Sequence, residues 1–345
     1  MSFSENAILT KSRAIYAKRL TNENYKELLN CSAISDVSNY LSSKTQYAES
    51  FDDVATVKIN RMMLENLLRR NLTDRILSLC RFSKILGSRL YEYLIIKNDI
   101  TAVLGCIRYI KAPNKFDYLI TMPTYLENII SVDMVSLAKC DSFDEMLKML
   151  ENTQYYDVLK QFEGKETSII NIENALNKYL YSKTNEIAKK NLSKSEYEEV
   201  MKLFKISYDL KFISNMYRLK KYFNLSGDKI LDYGFWAEIT ALSSKQIEEI
   251  IFSKDTESFF DAVDKTPYGK KQTIRKAVKI ENWAAQYRYD VMRHTALYST
   301  NPNSVMVCCV YLAENEIKNI IHIIEGIKYN IPSSEIAKLL IGYES

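Results

Sequence analysis

The chain has 345 residues with only 8 Gly and 5 Pro, and Leu, Ile, Lys, Glu, Asn and Tyr abound. That scarcity of turn residues excludes an all-β sandwich or barrel and predicts an all-α protein of two or three domains or of repeated units. The 47 basic and 43 acidic residues leave a formal charge of +4, and residues 1–120 hold 18 basic against 12 acidic, a bias too mild to predict a nucleic-acid partner. Six cysteines without a CxxC pair predict neither a disulfide framework nor a zinc knuckle, and the longest apolar run, Val305 to Ala313, falls well short of the roughly 20 residues of a membrane span. A cytoplasmic setting is expected.

Four landmarks recur along the chain in the same order. The first is a hydroxyl residue after an aliphatic one, Leu20-Thr21, Ile130-Ser131 and Leu242-Ser243, each predicted to cap a helix. Ser243 with Gln246 has the form of a capping box, and Leu242 with Ile247 that of a hydrophobic staple. A Thr-x-Tyr triplet follows after 22 to 24 residues, at Thr45 to Tyr47, Thr153 to Tyr155 and Thr266 to Tyr268. Next come the pairs Glu65-Asn66, Glu173-Asn174 and Glu281-Asn282, whose glutamates are 108 residues apart both times. Last is an acid before an aliphatic residue, Asp99-Ile100, Asp209-Leu210 and Glu316-Ile317, placed 34 to 36 residues after each glutamate and read as closing the unit. The pattern predicts three helical-bundle repeats, 1–120, 121–232 and 233–345, joined by stretches such as 112–123 and 224–233.

Within the repeats the apolar period is helical. Ile317, Ile320, Ile321, Ile324 and Ile327 draw one stripe, and Val200, Leu203, Phe204, Leu210, Ile213 and Tyr217 another. Ser193 and Glu196 predict a capping box for the second of these helices, stapled by Leu192 and Tyr197.

No catalytic, cofactor-binding or metal-binding residue is assigned. The best phosphate-loop candidate, Gly269-Lys270-Lys271, has Asp264 where the leading glycine belongs. His294 and His322 have no His or Cys at ligand spacing; His322, within the Ile317 stripe, reads as packing, and Cys308 and Cys309 read as core. Glu65, Glu173 and Glu281 could together bind a cation or orient a partner, but the preferred reading has each capping or salt-bridging inside its own unit. The 25 tyrosines lack interleaved basic stripes and read as amphipathic packing residues, not as a nucleic-acid platform. Lys11, Arg13, Lys18 and Arg19, with Arg69, Arg70 and Arg75, read as a solvated face, with contact to an acidic partner or lipid headgroups as the alternative.

The opening Arg19-Leu20-Thr21, Tyr25, Leu28-Leu29, Leu41 and Thr45-Gln46-Tyr47 resembles that of the C subunit of archaeal and bacterial V/A-type ATPases, the counterpart of the d subunit of eukaryotic V-ATPases. The end, Glu316 to Ile321, Gly326-Ile327-Lys328 and Ile331 to Ile336, is similar to that family's closing helix and terminal segment, although His322 stands where a basic residue is expected and Ser333-Ser334 where a proline-rich step is usual. The resemblance implies a funnel of three pseudo-equivalent helical units whose central cavity takes the end of the coiled-coil shaft, built of D- and F-type subunits, while its base sits on the membrane rotor ring. It implies a non-catalytic rotor socket on the cytoplasmic face, serving ATP-linked proton or sodium transport without cofactor, small-molecule substrate or nucleic acid. The competing reading is an unrelated all-helical scaffold for a protein partner, against which the long repeat period argues. The residues that meet the partners are not identified by the sequence.

Overall fold

A computed structural model describes residues 3–51, 59–111, 130–165, 168–231, 239–269, 274 and 279–344. The joints at 120/121 and 232/233, the connector 112–123, and Lys270 and Lys271 lie outside the described residues. Among those described, the chain is all-helical, with no strand.

After an opening helix, α1 (Phe3–Ala17), the same succession of short and long helices appears three times. The first comprises α2 (Asn22–Leu29), α3 (Ile34–Lys44) and a 3-10 turn (Ala48–Phe51), then the long pair α4 (Arg61–Ile85) and α5 (Glu92–Ile110). The second has α6 (Met134–Ala138), α7 (Phe143–Met149) and α8 (Tyr156–Lys160), then α9 (Ile169–Asn191) and α10 (Lys194–Lys221). Past α11 (Gly227–Leu231), the third has α12 (Ser244–Ile251) and α13 (Thr256–Asp264), then α14 (Ile280–Tyr298) and α15 (Pro302–Lys328); α16 (Ser333–Ala337) ends the chain.

Local chemistry sets these boundaries. Ser243 with Gln246 and Ser193 with Glu196 close capping boxes, as the sequence predicts, and Thr21, predicted as a cap, closes one with Asn24 as well. Ser131 departs from the prediction: Asp133 caps α6 by accepting from the Ser136 amide, and Ser131 is used elsewhere. Asn301 caps α15 with Pro302 in the first turn, where a missing N–H costs nothing.

Among the described residues, packing divides the apolar interior into one shared and three separate clusters. The shared cluster gathers the joint ends of all three long hairpins, among them Leu79, Leu90 and Leu94, Val200 and Leu203, and Met292 and Val305, with Ile8 and Tyr16 of α1. Cys308 and Cys309 lie buried there, as predicted. The other ends build one cluster each, and each draws on two successive hairpins. The distal half of α5 (Ile100, Val103, Ile107) packs with α6, α7 and the start of α9 (Ile172, Leu176). The distal half of α10 (Leu210, Ile213) packs with α12, α13 and Trp283 of α14. The distal half of α15 (Ile317, Ile320, Ile324) packs with α2, α3 and Leu64 and Leu68 of α4. Burying a side chain of this size stabilises by about 1.5–3 kcal/mol, so every long hairpin is held at both ends.

The tail binds back on the first unit. Ile336 and Leu340 enter the cluster of α2 and α4, and the Asn319 side chain pairs with both backbone groups of Ile341. Gly342 takes φ +78°, and a Cβ there would stand 2.2 Å from the Tyr289 ring, so the turn tolerates only glycine.

Candidate functional site

The acids that end each unit in the sequence do not stay with it. Asp99 accepts from the Ser131 amide, the Ser131 hydroxyl and the Tyr155 hydroxyl, all at 2.6 Å. Asp209 accepts from the Ala241 amide at 3.0 Å, from the Tyr268 hydroxyl at 2.6 Å and from the Thr240 hydroxyl. Glu316 accepts from the Leu20 amide and the Tyr47 hydroxyl, both at 2.6 Å, and from the Gln46 amide at 2.8 Å. Each carboxylate thus crosses to the Thr-x-Tyr tyrosine of the next unit and to a backbone amide at or just before that unit's hydroxyl landmark, and the last unit reaches the first.

The triplet is built for this contact. Thr45, Thr153 and Thr266 hydroxyls each donate to a carbonyl at the end of the preceding helix and accept from the amide of the triplet tyrosine. That arrangement fixes the tyrosine backbone and aims its ring into the cluster, where Tyr47 and Tyr155 are fully buried and Tyr268 nearly so. The phenol needs a buried partner, and the acid supplies it.

Burial and hydrogen bonding act on these acids in opposite senses. Burial raises the Asp209 carboxyl above its ordinary range, against the lowering effect of Thr240, Tyr268 and the Ala241 amide. Glu316 is likewise raised by burial, against Tyr47, the Leu20 amide and Arg75. Burial and the neighbouring acid push the three phenols upward, so each remains a donor.

A second, exposed tie follows the same cyclic order. Arg108 of α5 and Lys211 of α10 both meet Glu173, at 3.4 and 3.0 Å, and Arg218 of α10 approaches Glu281 at 3.8 Å. At the third seam Arg61 stands between Glu65 at 2.6 Å and Glu325 of α15 at 2.7 Å. The expectation that these glutamates pair within their own units therefore holds for Arg61 and Lys211 and is corrected for Arg108 and Arg218, which belong to the preceding hairpin. Among the described residues no cluster of His, Cys, Asp or Glu is placed to hold a metal ion.

Other sequence candidates separate. His322 is not packing: its side chain is 44% exposed, 4.0 Å from Glu325, on the outer edge of the α15 stripe. His294 is exposed and lies against Tyr298. Arg13 donates to the carbonyls of Ala296, Leu297 and Ser299, so it closes the end of α14 and is not a free cation. The donors Thr240 and Gln46 carry no mark in the sequence. The signal that points to the locks is an acid recurring at one position of otherwise apolar helices, as at Asp99 beside Ile96 and Ile100.

Among the described residues, an all-helical body in which α5, α10 and α15 each bury a carboxylate against a Thr-x-Tyr tyrosine defines the class. The profile of the ATP synthase (C/AC39) subunit family matches residues 8–339, and the chain belongs to that family, the C subunits of V/A-type ATPases. The A-type ATP synthase C subunit of Methanosarcina mazei is 26% identical, over 74% of this chain and 71% of its own. The proteins of the same name from Methanococcoides burtonii and Methanosarcina acetivorans are each 24% identical, over 97% and 96% of this chain and 93% and 91% of theirs. No helix among the described residues is long and apolar enough to cross a membrane.

Proposed function

We propose that this chain is the non-catalytic socket of a V/A-type rotor, joining a D- and F-type shaft to the membrane ring on its cytoplasmic face in ATP-linked proton or sodium transport. The observation that carries this reading is the division of the interior: the three hairpins share one cluster at their joints and end in three separate clusters at the other side. Three units, 1–120, 121–232 and 233–345, arranged this way make a funnel pinched at the joints and open at the far ends, with room between the units for a shaft tip.

Both faces carry exposed apolar side chains. Met63, Ile170, Phe223 and Tyr329 stand at or next to the far ends of the long helices, and Ile85, Leu297 and Tyr298 near the joints. Scattered apolar residues on helix ends, beside polar groups the ends leave unpaired, suit contacts made in an assembly without one large apolar patch on the free protein. In this account the open end receives the shaft and the joint end rests on the ring.

The test mixes the purified chain with the purified shaft heterodimer and, separately, with detergent-solubilised ring. Binding to both is expected, with the shaft contact weakening as salt rises. Phe223→Asp with Met63→Asp is expected to weaken shaft binding about tenfold or more and to leave ring binding unchanged, and Tyr298→Asp with Ile85→Asp to do the reverse. Failure to bind either partner while the rest of the rotor assembles would overturn the socket reading.

A further inference from the structure

The socket reading leaves the basic residues of the first unit unused, and the structure gathers six of them around one cleft. It runs between α1, the end of α3 and α4, with a volume of about 1030 Å³, and its walls carry Lys11, Lys18, Arg19, Lys44, Arg70 and Arg75. Only Glu49 and Asp74 oppose them there. A smaller cavity of about 250 Å³ adjoins it, sharing Arg19, Gln46 and Arg75 and adding Arg293. Its carboxylates are Glu344 and Glu316, and Glu316 is already occupied by its three donors.

These cations differ from the basic residues at the seams. Among the described residues none of the seven has a carboxylate within ion-pair distance, whereas Arg61, Arg108, Lys211 and Arg218 are all paired. Arg19 lies over the Tyr16 ring at 4.3 Å and Arg75 over the Tyr47 ring at 5.0 Å, so aromatic faces help hold their guanidinium groups in place, with Arg75 also near Glu316. The Tyr16 hydroxyl, on a residue only 6% exposed, lines the smaller cavity beside the Arg293 side chain. Burial raises this phenol above its ordinary range, against the lowering effect of Arg19 and Arg293. The phenol thus faces a space ringed by arginines.

We propose that this cleft binds an acidic polypeptide segment, with carboxylate side chains on the lysines of the outer part and one carboxylate in the inner cavity among Arg19, Arg75, Arg293 and the Tyr16 hydroxyl. Charge complementarity argues for the acid, because seven unpaired cations face four carboxylates, one of them sequestered. Size argues for a polypeptide: the outer cleft alone reaches the upper limit of about 1,000 Å³ for small-molecule pockets. Arginine forks match carboxylates two bonds at a time, which gives the inner cavity its selectivity. The site lies at the seam where chain end meets chain start, and the inference does not depend on which end of the molecule meets the shaft.

The test uses the full chain and a fluorescein-labelled decapeptide of alternating Glu and Asp, followed by fluorescence anisotropy at low salt. Saturable binding is expected, reduced about tenfold or more by Arg19→Glu with Arg293→Glu, both exposed and so compatible with folding. Lys11→Glu with Lys18→Glu provides an independent second reduction. Lys148→Glu with Lys165→Glu, the same charge change on exposed positions of the second unit, is expected to leave affinity within about twofold. The proposal is overturned by absence of binding, by equal losses in the remote and cleft variants, or by an oligonucleotide of equal charge binding as tightly and suffering the same cleft-specific loss. Because no shaft or ring enters the assay, its failure leaves the socket reading standing, and failure of the socket assay leaves this one intact.

Discussion

The seam at Glu316 and the seams at Asp99 and Asp209 use one chemistry across very different lengths of chain. Asp99 and Asp209 reach partners 31 to 59 residues ahead, whereas Glu316 reaches back 269 to 296 residues. The inner seams secure neighbours that the chain already holds close. The outer seam has no such help, and it is reinforced: the tail docks on α2 and Asn319 pairs with Ile341. A repeated body can thus close on itself by giving its last carboxylate the role that the earlier ones play locally, provided extra packing offsets the larger loss of chain entropy.

Removing an acid should reveal the difference most strongly. Glu316→Ala leaves the Leu20 amide and the Tyr47 hydroxyl buried without an acceptor, each orphan costing roughly 1–3 kcal/mol, and also frees the partly buried Gln46 amide. We expect a loss of about 3–5 kcal/mol in denaturant unfolding, accompanied by loosening of the first unit and tail. Asp209→Ala should cost a similar amount with the loosening confined to the third unit, as proteolysis followed by mass spectrometry would show. Equal loosening across the whole chain in both variants would break the comparison.

Next in size are Tyr47→Phe, Tyr155→Phe and Tyr268→Phe, which keep the ring and remove one donor. Each should cost about 1–2 kcal/mol, and the three values should agree closely, because the geometry repeats. A value near zero at one position would show that its acid finds another donor.

A smaller effect concerns pH. Because burial raises the Glu316 and Asp209 carboxyls in the folded state, their contribution to stability is fully present below the unfolded carboxyl range and is lost as pH rises through the folded values. Glu316→Gln cannot titrate there. The wild-type chain should therefore gain stability relative to Glu316→Gln as pH falls from about 7 towards the ordinary glutamate range, read as the difference in melting temperature. A difference that shrinks on acidification would reverse the sign argued here.

The exposed ties should matter least. Arg218→Ala, which removes the 3.8 Å contact with Glu281, is expected to change stability by less than about 1 kcal/mol, and the remainder of any effect should disappear at high salt.

The sequence reveals a good part of this arrangement. Few Gly and Pro, the apolar stripes and the capping boxes make the helices legible, because those signals act over one or two turns. The landmark spacings make the repetition legible too. The direction of the contact is hidden for a geometric reason: in a cyclic repeat, an acid at constant distance from its own unit is also at nearly constant distance from the next, so Asp99 reads equally well as closing one unit or opening another. Ser131 looks like a cap because a hydroxyl after an aliphatic residue commonly is one, yet Asp133 two residues later takes that place and frees Ser131 for Asp99. His322 misleads because a position inside an i, i+3, i+4 pattern still turns outward when its angle falls at the stripe's edge. The basic cleft has no local signature, since Arg293 joins Arg19 only through the packing of α14 and α1 near the outer seam.

Hydrogen exchange at three single amides tests the central claim most directly. Leu20, Ser131 and Ala241 lie outside helices, where amides ordinarily exchange fast, yet each donates to a buried carboxylate carried in by the preceding unit in cyclic order. A body closed by three equivalent locks predicts that all three are protected to nearly the level of the helix cores, and that Glu316→Ala releases Leu20 while Ser131 and Ala241 stay protected. Exchange of Leu20 in the wild-type chain as fast as an unpaired loop amide would contradict closure of the last unit on the first.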